Sequence, residues 1–220
     1  MRALFVAGGT GGHVYPALEV AREFKNSGVE IYWIGKEDSL EQKISVKEGF
    51  NFQPMMSSGF RKKNFKEKIL SVFYLFSSFI KSIYIFSKIK PKFIFCFGGY
   101  LSLGPGLASR VLTIPLFIHE QNSVAGSTNK LLAHIAKEVF EGFPQSFDKS
   151  NENIHFVGNP VRDEITSFTN TNKVDTSNDV FKLLILGGSQ GSTQLNVLLM
   201  DVLKEVKDKS NWEIIHQTGF

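Results

Sequence analysis

Apolar residues fall in short continuous blocks, separated by longer stretches where they recur at helical spacing. "RALFVA" leads into a glycine-rich turn and a helical pattern over 15–27 that Gly28 ends. "EIYWIG" leads into Ser39 and Gln42, spaced as a capping box, and a helix that Gly49 ends. "FNFQPM", "KFIFCF" and "IPLFIHE" continue the series as strands. Between and after them lie a long helix that stops before Pro91, a turn and helix in "LSLGPGLASRVL", and a helix over 128–137. Strands alternating with helices predict right-handed crossovers and a parallel, doubly wound α/β sheet.

The pattern lapses in "TSFTNTNKVDTSND" and then restarts. In "FKLLILGGSQGSTQLNVLLMDVLKEV" a strand, a glycine turn and a helix repeat the opening layout, with Gly187 to Ser192 lying over Gly8 to His13. This predicts a Rossmann-like domain over 1–162, a linker over 163–180, and the start of a second Rossmann-like domain over 181–220. The second has at most two strands and one helix before Phe220, so the sequence reads as part of a longer protein.

Composition narrows the class. With 220 residues, 42% hydrophobic and 21% charged, the chain can bury one large core or two modest ones. One cysteine and five histidines leave no disulfide framework and no metal-ligand spacing, which fits a reducing compartment and predicts no metal. Glycines from Gly8 interrupt the first apolar run too early for a secretory signal.

A net charge of +4 is too mild to argue for nucleic acid, but it is unevenly spread. Between Arg61 and Lys92 there are nine basic residues and one acid, Glu67. This segment holds the long aromatic helix. Its uncharged run over 69–80 is shorter than the roughly 20 residues of a spanning helix, and Lys81 follows it. The expectation is a surface helix whose Phe73, Phe76 and Phe79 enter an anionic membrane interface beside Lys66 and Lys68. The plain alternative is a core stripe with solvated lysines.

Five segments carry candidate chemistry, four of them at strand ends. "GGTGGH" and "GGSQGS" present backbone N–H groups and a helix N-terminus, suited to phosphate, though a bare turn fits either alone. Neither meets the dinucleotide G-x-G-x-x-G pattern or the Walker G-K-[ST]. His13 stands at a helix entry, where an imidazolium is disfavoured, which suits a general base; capping the helix is its other reading. "HEQN" places His119, Glu120, Gln121 and Asn122 at a strand end, too polar for core. In "FGGYLS" Tyr100 reads as packing. In "GNPVR" Pro160 stiffens the exit from the first domain, and Arg162 is poised either for a ligand or for a surface ion pair.

Taken in order, "GGTGGHVYPAL", "GGYLS", "HEQNSVAGSTNK", "GNPVR" and "GGSQG" resemble the bacterial undecaprenyldiphospho-muramoylpentapeptide β-N-acetylglucosaminyltransferase family. The resemblance runs from Met1 to about Ser192. It implies the glycosyltransferase B fold, two Rossmann-like domains of which the second is here truncated. It implies inverting transfer of N-acetylglucosamine from UDP-GlcNAc to the 4-hydroxyl of lipid I, giving lipid II, with the protein peripheral on the cytoplasmic face of the inner membrane and no cofactor. Position by position it implies substrate contacts at Thr10, Gly11, Gly12, Asn122, Arg162 and Ser189. The base is then His13, with Glu120 as rival. The family's remaining uridine-binding segment lies beyond the second glycine loop, so these residues alone are not expected to turn over.

Two other readings compete. A nicotinamide-dependent oxidoreductase would use the first loop for pyrophosphate and Glu37 or Asp38 for ribose hydroxyls. A non-catalytic membrane-surface module would use the basic aromatic helix alone.

Overall fold

In the computed structural model the described residues are 1–56, 64–147, 152–171, 180–188 and 191–219. They form two units, Met1–Thr166 and Ser167–Phe220. In the first, β1 (Arg2–Val6), α1 (Gly11–Asn26), β2 (Glu30–Gly35), α2 (Leu40–Lys47) and β3 (Asn51–Pro54) are followed by α3 (Phe65–Ile89) and β4 (Phe93–Cys96). A 3₁₀ turn (Tyr100–Ser102), α4 (Leu103–Val111), β5 (Leu116–Glu120), α5 (Ser127–Ala133), β6 (Glu138–Glu141) and β7 (Ile154–Phe156) complete the series, and α6 (Asp163–Thr171) runs across the boundary into the second unit. The sheet is wholly parallel, in the order β3-β2-β1-β4-β5-β6-β7, with Val6 opposite Ile34 on one side and Cys96 on the other. The order reverses between β1 and β4, which opens a crevice at their carboxyl ends.

Alternation along the strands builds one core on each face. Leu4, Val6, Ile94, Cys96, Leu116 and Ile118 point to the face covered by α3, α4 and α5. Ala3, Phe5, Trp33, Phe95 and Phe97 point to the face covered by α1 through Val14, Ala17, Leu18 and Ala21. Phe5, Phe95 and Phe97 pack ring to ring, and the Phe97 ring stacks on His119 with centroids 5.7 Å apart. The aromatic row thus ends in the imidazole of "HEQN".

Several elements differ from the sequence reading. α1 begins at Gly11, not near residue 15, with Thr10 in extended backbone before it. Glycine's poor helix propensity hides this first turn in sequence. His13 is therefore the third residue of a helix. Ser39 does accept from the Gln42 N–H, but the Gln42 side chain accepts from Asp38 N–H, one residue before the cap, so the expected box is displaced at one end. α5 ends at Ala133, and β6 follows at Glu138–Glu141; neither β6 nor the three-residue β7 was marked by the sequence pattern, which ran the helix on to residue 137. The polar stretch expected as linker begins as α6.

α3 buries an unexpected face. It starts with a full capping box between Asn64 and Glu67. Its Ile69–Ile89 segment is long and apolar enough to cross a membrane by length and composition. Yet Ile85, Phe86 and Ile89 belong to the core, and along the rest of the helix the buried positions are Ser71, Ser78 and Ser82. The reason is α4: a Cβ on Gly104 would collide with Ser78, so small residues on both helices allow close approach. Ile69, Val72, Phe73, Phe76, Ile80 and Tyr84 are left exposed, with Phe73 at 63% and Phe76 at 64%. Phe79, expected in the same exposed set, instead packs partly buried against the core.

The second unit is a βαβ unit: parallel β8 (Phe181–Leu186) and β9 (Trp212–Gln217) joined by α7 (Thr193–Glu205). Ser192 caps α7, accepting from the Leu195 N–H. Laid over the first loop, Ser192 falls on His13. One precedes its helix and the other is inside it, so the two loops match in composition and differ by three residues in where the helix starts.

Candidate functional site

A cleft of about 170 Å³ lies over the carboxyl ends of β1, β4 and β5, where the strand order reverses. His13, Gly98, Gly99, Tyr100, Glu120 and Asn122 line it, with 126–129 at its far wall. Gly98 and Gly99 have φ of +88° and +74°, a conformation that favours glycine. A side chain at Gly98 would meet both His13 and Asn129. These glycines and Tyr100 belong to the site although the sequence marked them only as a turn and packing; their signal was a glycine pair at the end of a buried strand.

The two base candidates have different surroundings. Glu120 is 1% exposed, and both its oxygens are occupied. Oε1 accepts from the Asn122 backbone and side-chain N–H groups at 3.0 and 2.7 Å; Oε2 accepts from Gly126 N–H and the Asn129 amide at 2.9 Å each. Such a carboxylate holds the turn after β5 in shape. His13 is half-buried, with Nδ1 2.9 Å from the Gln121 side-chain oxygen. Burial pushes the pKa of His119 down, against opposing contributions from its hydrogen bond to the Gly158 carbonyl and the Glu120 charge.

The "GNPVR" segment buttresses this turn. The Gly158 carbonyl lies 3.1 Å from His119 Nε2, and the Asn159 amide donates to the Gln121 backbone carbonyl. Arg162 precedes α6, accepting at its carbonyl from Ile165 and Thr166, and its guanidinium sits 4.6 Å from the Tyr15 ring centroid of α1. Thr10 and Gly12 are exposed, and the first-turn N–H groups of Gly11 and Gly12 have no acceptor within the helix. The structure thus gathers His13, Glu120 and Asn122 in the cleft. Thr10, Gly11, Gly12 and Arg162 stand outside its lining, and Ser189 lies outside the described residues. Glu37 and Asp38, the acids a nicotinamide cofactor would need, line a different cavity with Lys36, Tyr74 and Lys81.

A doubly wound sheet with glycine turns converging on a switch-point cleft defines a ligand-binding α/β domain. The chain belongs to glycosyltransferase family 28, whose N-terminal domain matches residues 3–141. It is 40% identical over 223 residues to the UDP-N-acetylglucosamine–N-acetylmuramyl-(pentapeptide) pyrophosphoryl-undecaprenol N-acetylglucosamine transferase of Francisella philomiragia, covering 98% of this chain and 60% of that protein. It is 35% identical to the protein of the same name from Shewanella denitrificans, covering 99% of this chain and 59% of that one. Among solved structures, Acinetobacter baumannii MurG superposes with a TM-score of 0.74 at 29% identity, covering 98% of this chain and 60% of that one. The chain therefore spans about 60% of the length of the curated relatives it matches.

Proposed function

We propose that the protein carrying this chain transfers N-acetylglucosamine from UDP-GlcNAc to the 4-hydroxyl of lipid I, forming lipid II. The observation that carries this reading is the cleft itself: an imidazole with one ring nitrogen uncommitted, beside helix-entry N–H groups, at the switch point of a family 28 domain. His13 Nε2 takes the proton of the acceptor hydroxyl as its oxygen attacks the sugar's anomeric carbon. The bond from that carbon to the diphosphate breaks on the opposite face, and UDP leaves with the electron pair, inverting the configuration. Thr10, Gly11, Gly12, Asn122, Arg162 and Ser189 are the proposed substrate contacts, with Arg162 and Ser189 assigned to the donor diphosphate. Glu120 serves by shaping the turn that presents Asn122.

The acceptor's lipid sets the location, the cytoplasmic face of the inner membrane. Exposed Phe73 and Phe76 on α3, the helix that also carries Lys66, support peripheral docking there, and the sequence adds the basic residues 61–63 and Lys68 to the same segment. The test is radiolabelled transfer from UDP-GlcNAc to lipid I, using the chain completed with the remaining part of the Francisella relative. Incorporation into lipid II that vanishes in His13→Ala supports the reading. Binding of NAD in preference to UDP-GlcNAc would return the oxidoreductase, and vesicle binding with no transfer would leave a membrane module.

A further inference from the structure

Gln121 sits between the two histidines of the site, and its amide can be oriented without ambiguity. Gln121 Nε2 lies 2.9 Å from the His119 backbone carbonyl, which only accepts, so the atom there must be the NH₂ group. The same NH₂ lies 3.0 Å from His119 Nδ1, which therefore accepts as well and carries no proton. That leaves the His119 proton on Nε2, where it donates to the Gly158 carbonyl at 3.1 Å. The two ends agree: one carbonyl fixes the imidazole, and another fixes the amide. With its NH₂ turned inward, Gln121 presents Oε1 to His13 Nδ1 at 2.9 Å, so Nδ1 is the protonated nitrogen of His13 and Nε2 holds the lone pair.

We infer that Gln121 is a positioning residue that locks His13 in the Nδ1–H tautomer, through a chain running from the Gly158 carbonyl by way of His119. Free neutral imidazole favours the opposite tautomer, with the proton on Nε2, which cannot act as a base on the cleft side. An amide suits this task because it is neutral. It selects the tautomer without placing a second anion next to a leaving diphosphate, unlike the carboxylate that orients the histidine of a protease triad. No proton moves along the chain; only orientation is passed on. Gly158 is a glycine for the same reason, since its φ of +81° aims the carbonyl at His119. The inference rests on the glycosyl-transfer reading only in giving the free Nε2 a proton to accept.

The test is ¹⁵N–¹H correlation of the histidine rings in the whole 220-residue chain at alkaline pH, with resonances assigned by single His→Gln variants. Expected are an Nδ1–H tautomer for His13 and an Nε2–H tautomer for His119. Gln121→Leu should send His13 to a mixture dominated by Nε2–H, while Gln121→Glu, which keeps an acceptor, retains Nδ1–H. In the completed enzyme Gln121→Leu should lower kcat by between about 10- and 10⁴-fold, the upper figure being the cost of a wrong tautomer in a triad, with KM within about twofold. An Nε2–H tautomer for His13 in the unaltered chain overturns the inference, and that measurement needs no variant to fold. So does an unchanged His13 tautomer in a Gln121→Leu chain with normal circular dichroism. If the tautomers are as stated and no transfer is detected, the positioning chain stands and the assigned reaction falls.

Discussion

The Asn159 side chain donates 3.2 Å to the backbone carbonyl of Gln121, joining residues far apart in sequence at the floor of the site. Its neighbour Gly142 is packed so tightly on Asn159 that a methyl group there would overlap the amide. Asn159→Ala strands a part-buried carbonyl and should cost about 1–3 kcal/mol. Gly142→Ala should weaken the same joint by displacing the amide. Urea denaturation of both variants checks this; no change in midpoint for either would mean the contact contributes nothing.

His13 and Glu120 should separate by what their loss damages. His13→Ala in the completed enzyme should lower kcat by about 10²–10⁴ with the melting temperature nearly unchanged. Glu120→Gln places an NH₂ group against two of the four N–H donors, whichever way the amide is turned, and should lower the melting temperature. Equal thermal losses in the two variants would contradict the division of roles.

His119 makes stability fall at acid pH. The folded chain favours the neutral ring, so the unfolded chain binds the extra proton. The contribution is complete above the ordinary value of 6.5 and is lost as pH drops below it towards the depressed folded value. In that window each pH unit removes up to about 1.4 kcal/mol. Urea midpoints between pH 7.5 and 5 should therefore decline less steeply in His119→Gln than in the unaltered chain. Parallel curves would assign the acid sensitivity to other groups.

Cys96 is fully buried, which pushes its thiol up to about 12. Iodoacetamide at pH 8 should leave the native chain unmodified and label it promptly in urea, as read by intact mass. Native labelling at the unfolded rate would place the thiol at the surface.

The exposed face of α3 predicts a separable membrane contact. Phe73→Ser with Phe76→Ser should abolish flotation with anionic vesicles and leave the melting temperature within about 2 °C, since both rings are outside the core. Phe79→Ser should instead destabilise the fold, because that ring packs on the core cluster. Flotation that survives the double substitution moves the contact elsewhere.

The packing of α3 on α4 has no room for one added methyl group. Gly104→Ala forces a Cβ against Ser78 and the Phe79 backbone and should destabilise by about 1–3 kcal/mol in thermal melts.

Local pattern was enough to determine the parallel α/β class, the strands from β1 to β5, the glycine turns and the strings at the strand ends, because continuous apolar runs, helix periodicity and glycine punctuation are properties of neighbouring residues. It could not determine which face α3 buries, since apolar residues circle that helix. Only Gly104 on the facing helix makes its serine side the one that fits. Nor could it place β6 and β7, whose pairing with β5 comes from the sheet and not from their own few residues. The roles within "HEQN" were likewise undecided in sequence, where His119, Glu120 and Gln121 are equivalent polar residues at a strand end. Tertiary structure separates them by their partners: Gly158 for His119 and His13 for Gln121, both distant in the chain, and for Glu120 the N–H groups of its own turn with Asn129 of α5. A hydrogen bond depends on where two atoms meet in space, and for these residues the meeting is arranged by the sheet.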